Sequence, residues 1–433
     1  MTDTTPAAGE DRLAPDRPQT PVSPIRESKP DTSFILGGSA SDTAIRPFSF
    51  HASDDELADM KRRIAATRWP DRELVDDASQ GVQLATIQKL VDYWLNQHDW
   101  RKVEGRINAY PNFITNIDGV DVHFIHVKSK HPGALPLIVT HGWPGSVIEQ
   151  LKIIEPLTDP TSFGGTAEDA FDIVIPSMPG YGFSGKPAAT GWGPERIART
   201  WDVLMKRLGY EKYVAQGGDW GAIITDFMGV QAPTGLAGIH TNMPGAVPPA
   251  IDGAAFSGAS PPEGLDEEER RSFDHLAFFY KHGLGYALEM GNRPQTLYGL
   301  ADSPVALAAW IIDHDIWTYR QIARVFDGET LGLTKDDIVD NITLYWLTNT
   351  GVSSARLYWE NKNAFFAPKG VELPVVVSVS PDDIPGPIPR KWAEQAYPNL
   401  LFYRQHPEGA HFAAWEQPAA LVDDLRDGFR SVR

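Results

Sequence analysis

The chain contains no cysteine. That single absence excludes a disulfide framework, a thiolate zinc site, an iron–sulfur cluster and a cysteine nucleophile. Positive charge is also scarce: 39 Lys and Arg stand against 57 Asp and Glu, a formal net charge of −18. A nucleic-acid binder, or a protein held on anionic lipid, needs a basic face, and neither class fits this balance. No run comes near the roughly 18 apolar residues of a membrane-spanning helix, so no membrane insertion is expected. What is present is the mixture of a globular protein, 42% hydrophobic and 22% charged over 433 residues. That length supports two or three average domains, or one large core with additions. The 13 tryptophans point to an aromatic-lined interior or pocket.

Residues 1–44 read as a disordered tail. They hold six prolines, mixed charge and one aromatic, Phe34, too little to offset the entropy of ordering. The start lacks the basic and apolar regions of a secretory signal, so a cytoplasmic protein is expected. A new segment, 45–135, opens with Ser53-Asp-Asp-Glu56 ahead of Leu57 and Met60, a capping box that starts a helix running to a stop at Trp69-Pro70. A second helix is expected from about Val82 to Gln97, with Leu84, Ile87, Leu90, Val91 and Trp94 at helical spacing. Asp118-Gly119 joins two strands, 113–117 and 120–126, as a tight hairpin.

From residue 136 strands and helices alternate. Strands are expected at 137–140, 171–175 and 213–215, with helices near 146–156, 195–208 and 217–231. This pattern describes a mostly parallel sheet with helices on its faces, an α/β fold. It lapses over about 246–365, which carries helical patterns such as Glu267 to Tyr280, and resumes with strands at 374–378 and 400–403. The arrangement is a core in two parts, 136–245 and 366–433, interrupted by a helical lid.

Gly217-Gly-Asp219-Trp-Gly221 lies directly after a strand and before a helix. Small residues around a central polar one, in that context, make a nucleophile elbow, which holds its side chain above the sheet on a strained turn. The chain has no Gly-x-Ser-x-Gly, so Asp219 would be the nucleophile, attacking an sp³ carbon to form an alkyl ester. The plainer alternative is a turn with Asp219 as helix N-cap. His141-Gly-Trp-Pro-Gly145 follows the 137–140 strand. In α/β-hydrolases such a loop supplies one oxyanion-hole N–H and the residue after the nucleophile supplies the other, here Trp143 and Trp220. His411, in Gly409-Ala-His-Phe412, lies late in the chain ahead of a terminal helix pattern and is the expected base, with His406 as the alternative. The orienting acid should follow the 374–378 strand, where Asp382 and Asp383 compete.

From Ile45 onward the sequence resembles the microsomal-type epoxide hydrolases. The matching pieces are Arg68-Trp-Pro70, His141-Gly-Trp-Pro-Gly-Ser146, Pro179-Gly-Tyr-Gly-Phe-Ser184, Gly217-Gly-Asp-Trp-Gly221, Ala301-Asp-Ser-Pro-Val305, Leu344-Tyr-Trp346 and Gly409-Ala-His-Phe-Ala-Ala-Trp-Glu416. The resemblance implies an α/β-hydrolase fold with a helical lid and an N-terminal segment wrapped around the core. It favours Asp383 as the acid, and it implies two lid tyrosines on the epoxide oxygen, Tyr286 and Tyr358. Tyr280 and Tyr298 lie close to the first of these. The implied reaction is hydrolysis of an epoxide to a 1,2-diol through an ester on Asp219, with Trp143 and Trp220 also touching substrate. Ring strain assists the first step, so no metal or cofactor is required. The expected partners are a small epoxide and water, and a homodimer is allowed. An aromatic lid suits bulky apolar or aryl epoxides, in detoxification or biosynthesis. The alternative is a hydrolytic dehalogenase with the same Asp nucleophile, in which indole N–H groups would hold a halide.

Overall fold

The computed structural model describes residues 43–433. The tail reading for residues 1–44 lies outside the described residues except for its last two. Nine strands form one sheet: β1 (Arg46–Phe48), β2 (Asn112–Ile117), β3 (Val120–Val127), β4 (Leu135–Thr140), β5 (Phe171–Pro176), β6 (Tyr213–Gly217), β7 (Leu236–Thr241), β8 (Val375–Val379) and β9 (Leu400–Gln405). The order is β1-β2-β3-β5-β4-β6-β7-β8-β9. The first three strands run antiparallel, and every pairing from β4 to β9 is parallel. The parallel strands are almost wholly apolar because helices cover both faces, as such sheets require. Leu137, Ile138 and Val139 on β4 are fully buried, as are Val375, Val376 and Val377 on β8.

Two strands carry no clear signal in the sequence. β1 is three residues long and half-exposed at the sheet edge. In β7, Gly238 and His240 interrupt the apolar run, yet each suits its place. A Cβ on Gly238 would approach the Pro374 carbonyl oxygen to 3.0 Å, and His240 Nε2 lies 3.0 Å from Ser378 Oγ on β8. The first helix, α1 (Asp54–Ala65), begins at the expected capping box but ends four residues before Trp69. The Thr67 hydroxyl donates to the Ile64 carbonyl at 2.7 Å and helps satisfy that end. The segment near 146–156 starts as a 3-10 turn, Val147–Gln150, before becoming α-helical at Leu151.

Between β7 and β8 the chain is helical, from Pro249–Ser257 to Gly351–Glu360. The N-terminal helices pack against this lid as well as the core. Gln83 N–H donates to the Tyr319 hydroxyl at 2.9 Å, and His98 Nε2 lies 2.7 Å from Asp340 Oδ1 in a buried pair. Among the described residues no helix is long and apolar enough to cross a membrane.

His123 on β3 is wholly buried in a saturated network. Its Nε2–H donates to Asn112 Oδ1 and its Nδ1 accepts from the Ser177 hydroxyl, both at 2.9 Å. Burial pushes its pKa down to about 3, and that of His240 to about 4. An unfolded histidine takes up a proton near 6.5, so below that pH the unfolded chain binds more protons than the native one. The stability these groups contribute is complete above pH 6.5 and is lost as pH falls toward 3 to 4. In urea titrations from pH 7 to 4, His123→Gln should show a shallower acid loss than the native protein, by a few kcal/mol at the low end. Parallel acid limbs would remove His123 as a source of the pH dependence.

Candidate active site

The carboxyl ends of β4, β6, β8 and β9 converge on one point. Between β6 and the helix α2 (Trp220–Gln231) stands Asp219, at φ 53° and ψ −126°. This is strained ground for a side chain that carries a Cβ, and it is held by what surrounds it. A Cβ on Gly217 would lie 2.0 Å from the Gly221 carbonyl oxygen, and one on Gly221 would lie 2.0 Å from that of Thr140. Only glycine lets β6, the turn and β4 approach so closely. The Asp219 side chain makes no capping bond to α2. It projects toward the neighbouring loops, where Trp143 N–H donates to Oδ1 at 2.6 Å.

His411 reaches the other carboxylate oxygen, with Nε2 3.3 Å from Asp219 Oδ2. Its Nδ1–H donates to Asp383 Oδ1 at 2.6 Å. Of the two competing acids, Asp383 is buried against the imidazole, whereas Asp382 is exposed and its N–H bonds the Gly409 carbonyl. His406 is placed elsewhere, 2.6 Å from Asp424. Burial opposes charge on His411, but Asp383 and Asp219 outweigh it and hold the imidazole well above the usual histidine range. The loop carrying His411 is pinned by Glu416, which accepts from the N–H groups of Ala410 and Phe412, each at 3.0 Å.

The loop at 141–146 is fixed from the lid. Asn341 Nδ2 donates to the Pro144 carbonyl at 2.7 Å, the Ser146 hydroxyl donates to Asn341 Oδ1 at 2.7 Å, and the Tyr345 hydroxyl donates to the Gly145 carbonyl at 2.8 Å. These bonds come from one lid helix, Lys335–Leu347, and they aim the Trp143 N–H at Asp219.

Tyr286 and Tyr358 are brought together above Asp219, with ring centroids 5.9 Å apart. Trp143 stacks on Tyr286 at 5.1 Å, and Trp220 meets Tyr358 edge-on at 4.8 Å. The Tyr358 hydroxyl is buried without a hydrogen-bond partner. Burial, reinforced by the Asp219 charge, raises both phenols well above their ordinary pKa, so both remain donors. The two neighbouring tyrosines go elsewhere: Tyr280 bonds Asp252, and Tyr298 is exposed. A cavity of about 390 Å³ leads from Asp219, Trp220, Tyr286 and Tyr358 out between Phe279, Leu284, Leu288, Phe365 and Phe366. Trp143 does not line it and stands behind Tyr286.

A second pocket beside Asp219, of about 10 Å³, is lined by Glu149, Gln150, Gln216, Gly218, Asn242 and His411. That volume is close to what one water needs. Three polar atoms of its lining residues have no hydrogen-bond partner: Glu149 Oε2, Gln150 Oε1 and Gln216 Oε1. Burial pushes the Glu149 carboxyl up to about 8. Glu149 and Glu416 are not among the site residues expected above. The available signal was an acid inside an apolar stretch, Val147-Ile-Glu149, directly after the tryptophan loop.

Comparison with known proteins identifies the family. Residues 45–150 match the model for the epoxide hydrolase N terminus, and residues 136–281 match that for the alpha/beta hydrolase fold. A relative from Stigmatella aurantiaca that carries the epoxide hydrolase name is 49% identical over 391 residues, covering 90% of this chain and 86% of that sequence. This chain belongs to the epoxide hydrolase family. Epoxide hydrolase 1 of Oryctolagus cuniculus is 36% identical, covering 89% of this chain and 88% of that protein. The crystal structure of juvenile hormone epoxide hydrolase from the silkworm Bombyx mori superposes with a TM-score of 0.78 at 29% identity, covering 90% of this chain and 95% of that one.

The two adjacent acids provide a direct test. Asp383→Asn should lower turnover of an aryl epoxide by at least about 100-fold, because the imidazole loses its orienting charge. Asp382→Asn should stay within about twofold of the native rate, as surface changes away from a site usually do. Equal losses in steady-state rates would contradict the placement.

Proposed function

We propose that this epoxide hydrolase opens its substrate through a covalent ester on Asp219. One observation carries the reading: a buried carboxylate on a strained elbow touches an Asp-paired imidazole below two buried phenols. Tyr286 and Tyr358 donate to the epoxide oxygen and stabilise the alkoxide as the ring opens. Asp219 attacks a ring carbon in line, forming a C–O bond as the ring C–O bond breaks. A phenol proton passes to the alkoxide.

Alkylation neutralises one of the two carboxylates that hold His411 charged. Its affinity for a proton falls, and the proton it sheds in net restores the phenol. The imidazole is then a base. The water-sized pocket beside Glu149, Gln216 and His411 suits the attacking water, which gives one proton to His411 and adds to the Asp219 carbonyl carbon. The N–H groups of Trp143 and Trp220 are assigned to the oxyanion. When the intermediate collapses, the remaining proton goes to the departing diol oxygen. The apolar 390 Å³ cavity fits a bulky apolar or aryl epoxide. The paired phenols favour an epoxide over a haloalkane, since a halide leaving group needs no proton.

Two measurements test the scheme. In His411→Gln, intact mass after exposure to styrene oxide should show one adduct, mapping by peptide digestion to the segment containing Asp219. An unshifted mass alongside consumption by the native protein would exclude the ester. In single-turnover kinetics, Tyr358→Phe should slow alkylation by about 10²-fold and ester hydrolysis far less. The opposite order would remove Tyr358 from ring opening.

A further inference from the structure

The lid carries a second imidazole into the site. His314 sits between two lid helices, Pro304–Ile312 and Ile316–Phe326, and its side chain is fully buried. Its Nδ1 lies 3.0 Å from Asp315 Oδ2. Asp315 is itself fixed, because its Oδ1 accepts from the N–H groups of Trp317 and Thr318 at 2.9 and 2.8 Å. The other ring nitrogen, Nε2, is buried without a partner. The ring lies 4.7 Å from that of His411, 4.9 Å from Tyr286 and 5.7 Å from Trp143. None of the steps proposed above uses it.

His411 likewise has Nδ1 on a buried carboxylate, and its Nε2 faces Asp219 Oδ2 at 3.3 Å. One ligand atom each from Asp219, His314 and His411 lies within 4.8 Å of the others. Histidines that ligate metals almost always give their second ring nitrogen to a carboxylate or carbonyl, which fixes the tautomer and raises the basicity of the ligating atom. Here both imidazoles have that support already. Two imidazoles and a carboxylate suit zinc and its first-row neighbours rather than calcium or magnesium. Bonds of about 2.0–2.1 Å require the three ligand atoms to close to roughly 3.4 Å apart, a movement of about 1 Å in side chains that already converge.

We propose that Asp219, His411 and His314 form a site for a late first-row divalent cation, and that its occupancy blocks the enzyme. The bound cation takes the lone pair with which Asp219 would attack and the Nε2 that would accept the proton of water. The inhibition rests on the reading of Asp219 as nucleophile, whereas the binding does not.

The test titrates the full chain with zinc chloride by calorimetry, in a buffer that does not chelate, and with cobalt chloride by visible absorption. One tight equivalent of zinc and clear cobalt ligand-field bands are expected. His314→Gln, His411→Gln and Asp219→Asn should each weaken zinc binding by more than tenfold and abolish the cobalt bands. Asp315→Asn, which touches no metal, should weaken it by about 10- to 100-fold. Circular dichroism and thermal melts identify variants that fold, and any folded member of the set decides the matter. Absence of a tight equivalent in the native chain, or an undiminished one in the folded ligand variants, would overturn the site. Zinc should inhibit the native enzyme in competition with epoxide, and more zinc should be needed for His314→Gln. If zinc binds as expected but His411→Gln traps no ester, the metal site stands and the nucleophile assignment fails.

Discussion

One imidazole held between two buried carboxylates governs this site. His411 touches Asp219 and Asp383, and all three side chains are almost completely shielded from water. Burial alone would strip the ring of its charge, and the two acids reverse that outcome. The balance depends on both acids, so it changes when either is neutralised. Alkylation of Asp219, as proposed, would therefore alter the protonation of its neighbour through charge alone. The remaining features keep these three groups in place: the glycine-spaced elbow, the loop pinned by Glu416, and the bend that turns Asp383 inward.

The sheet places these groups and the helices above it finish the arrangement. β6 and β4 bring the elbow beside the tryptophan loop because glycines allow their backbones to meet. The loop does not set its own direction. Asn341 and Tyr345, about 200 residues further along the chain, bond its carbonyls and orient its N–H. Lid and core thus build one site between them, and Tyr286 and Tyr358 enter it from the same layer.

Much of this was legible in the sequence where backbone necessity leaves a trace. Gly217 and Gly221 mark the elbow, Trp143-Pro144-Gly145 marks the loop, and the alternation of strand and helix marks the parallel sheet. Other residues left no such trace. Asp382 and Asp383 differ only in which one a bend turns inward, and the sequence does not encode that direction locally. Glu149, Glu416 and His314 are single polar residues in apolar or mixed surroundings, and their roles exist only through partners distant in the chain. β7 was hidden because Gly238 and His240 are chosen for close approach and a cross-strand bond, not for apolar periodicity. The tyrosines came from family resemblance, since nothing local separates Tyr286 from Tyr280.

The contacts of the N-terminal helices with the lid bear on how molecules enter. Gln83 with Tyr319, and His98 with Asp340, fasten the lid's helices to a layer that also joins the sheet. A roof tied down on that side, and bonded to the loop beneath it, is poorly suited to swing open as a flap. The cavity lined by Leu284, Leu288, Phe365 and Phe366 offers a route that needs no such opening. Under the proposed function, the girth of a molecule in that channel, rather than the energy of lifting a cover, would then limit what is admitted.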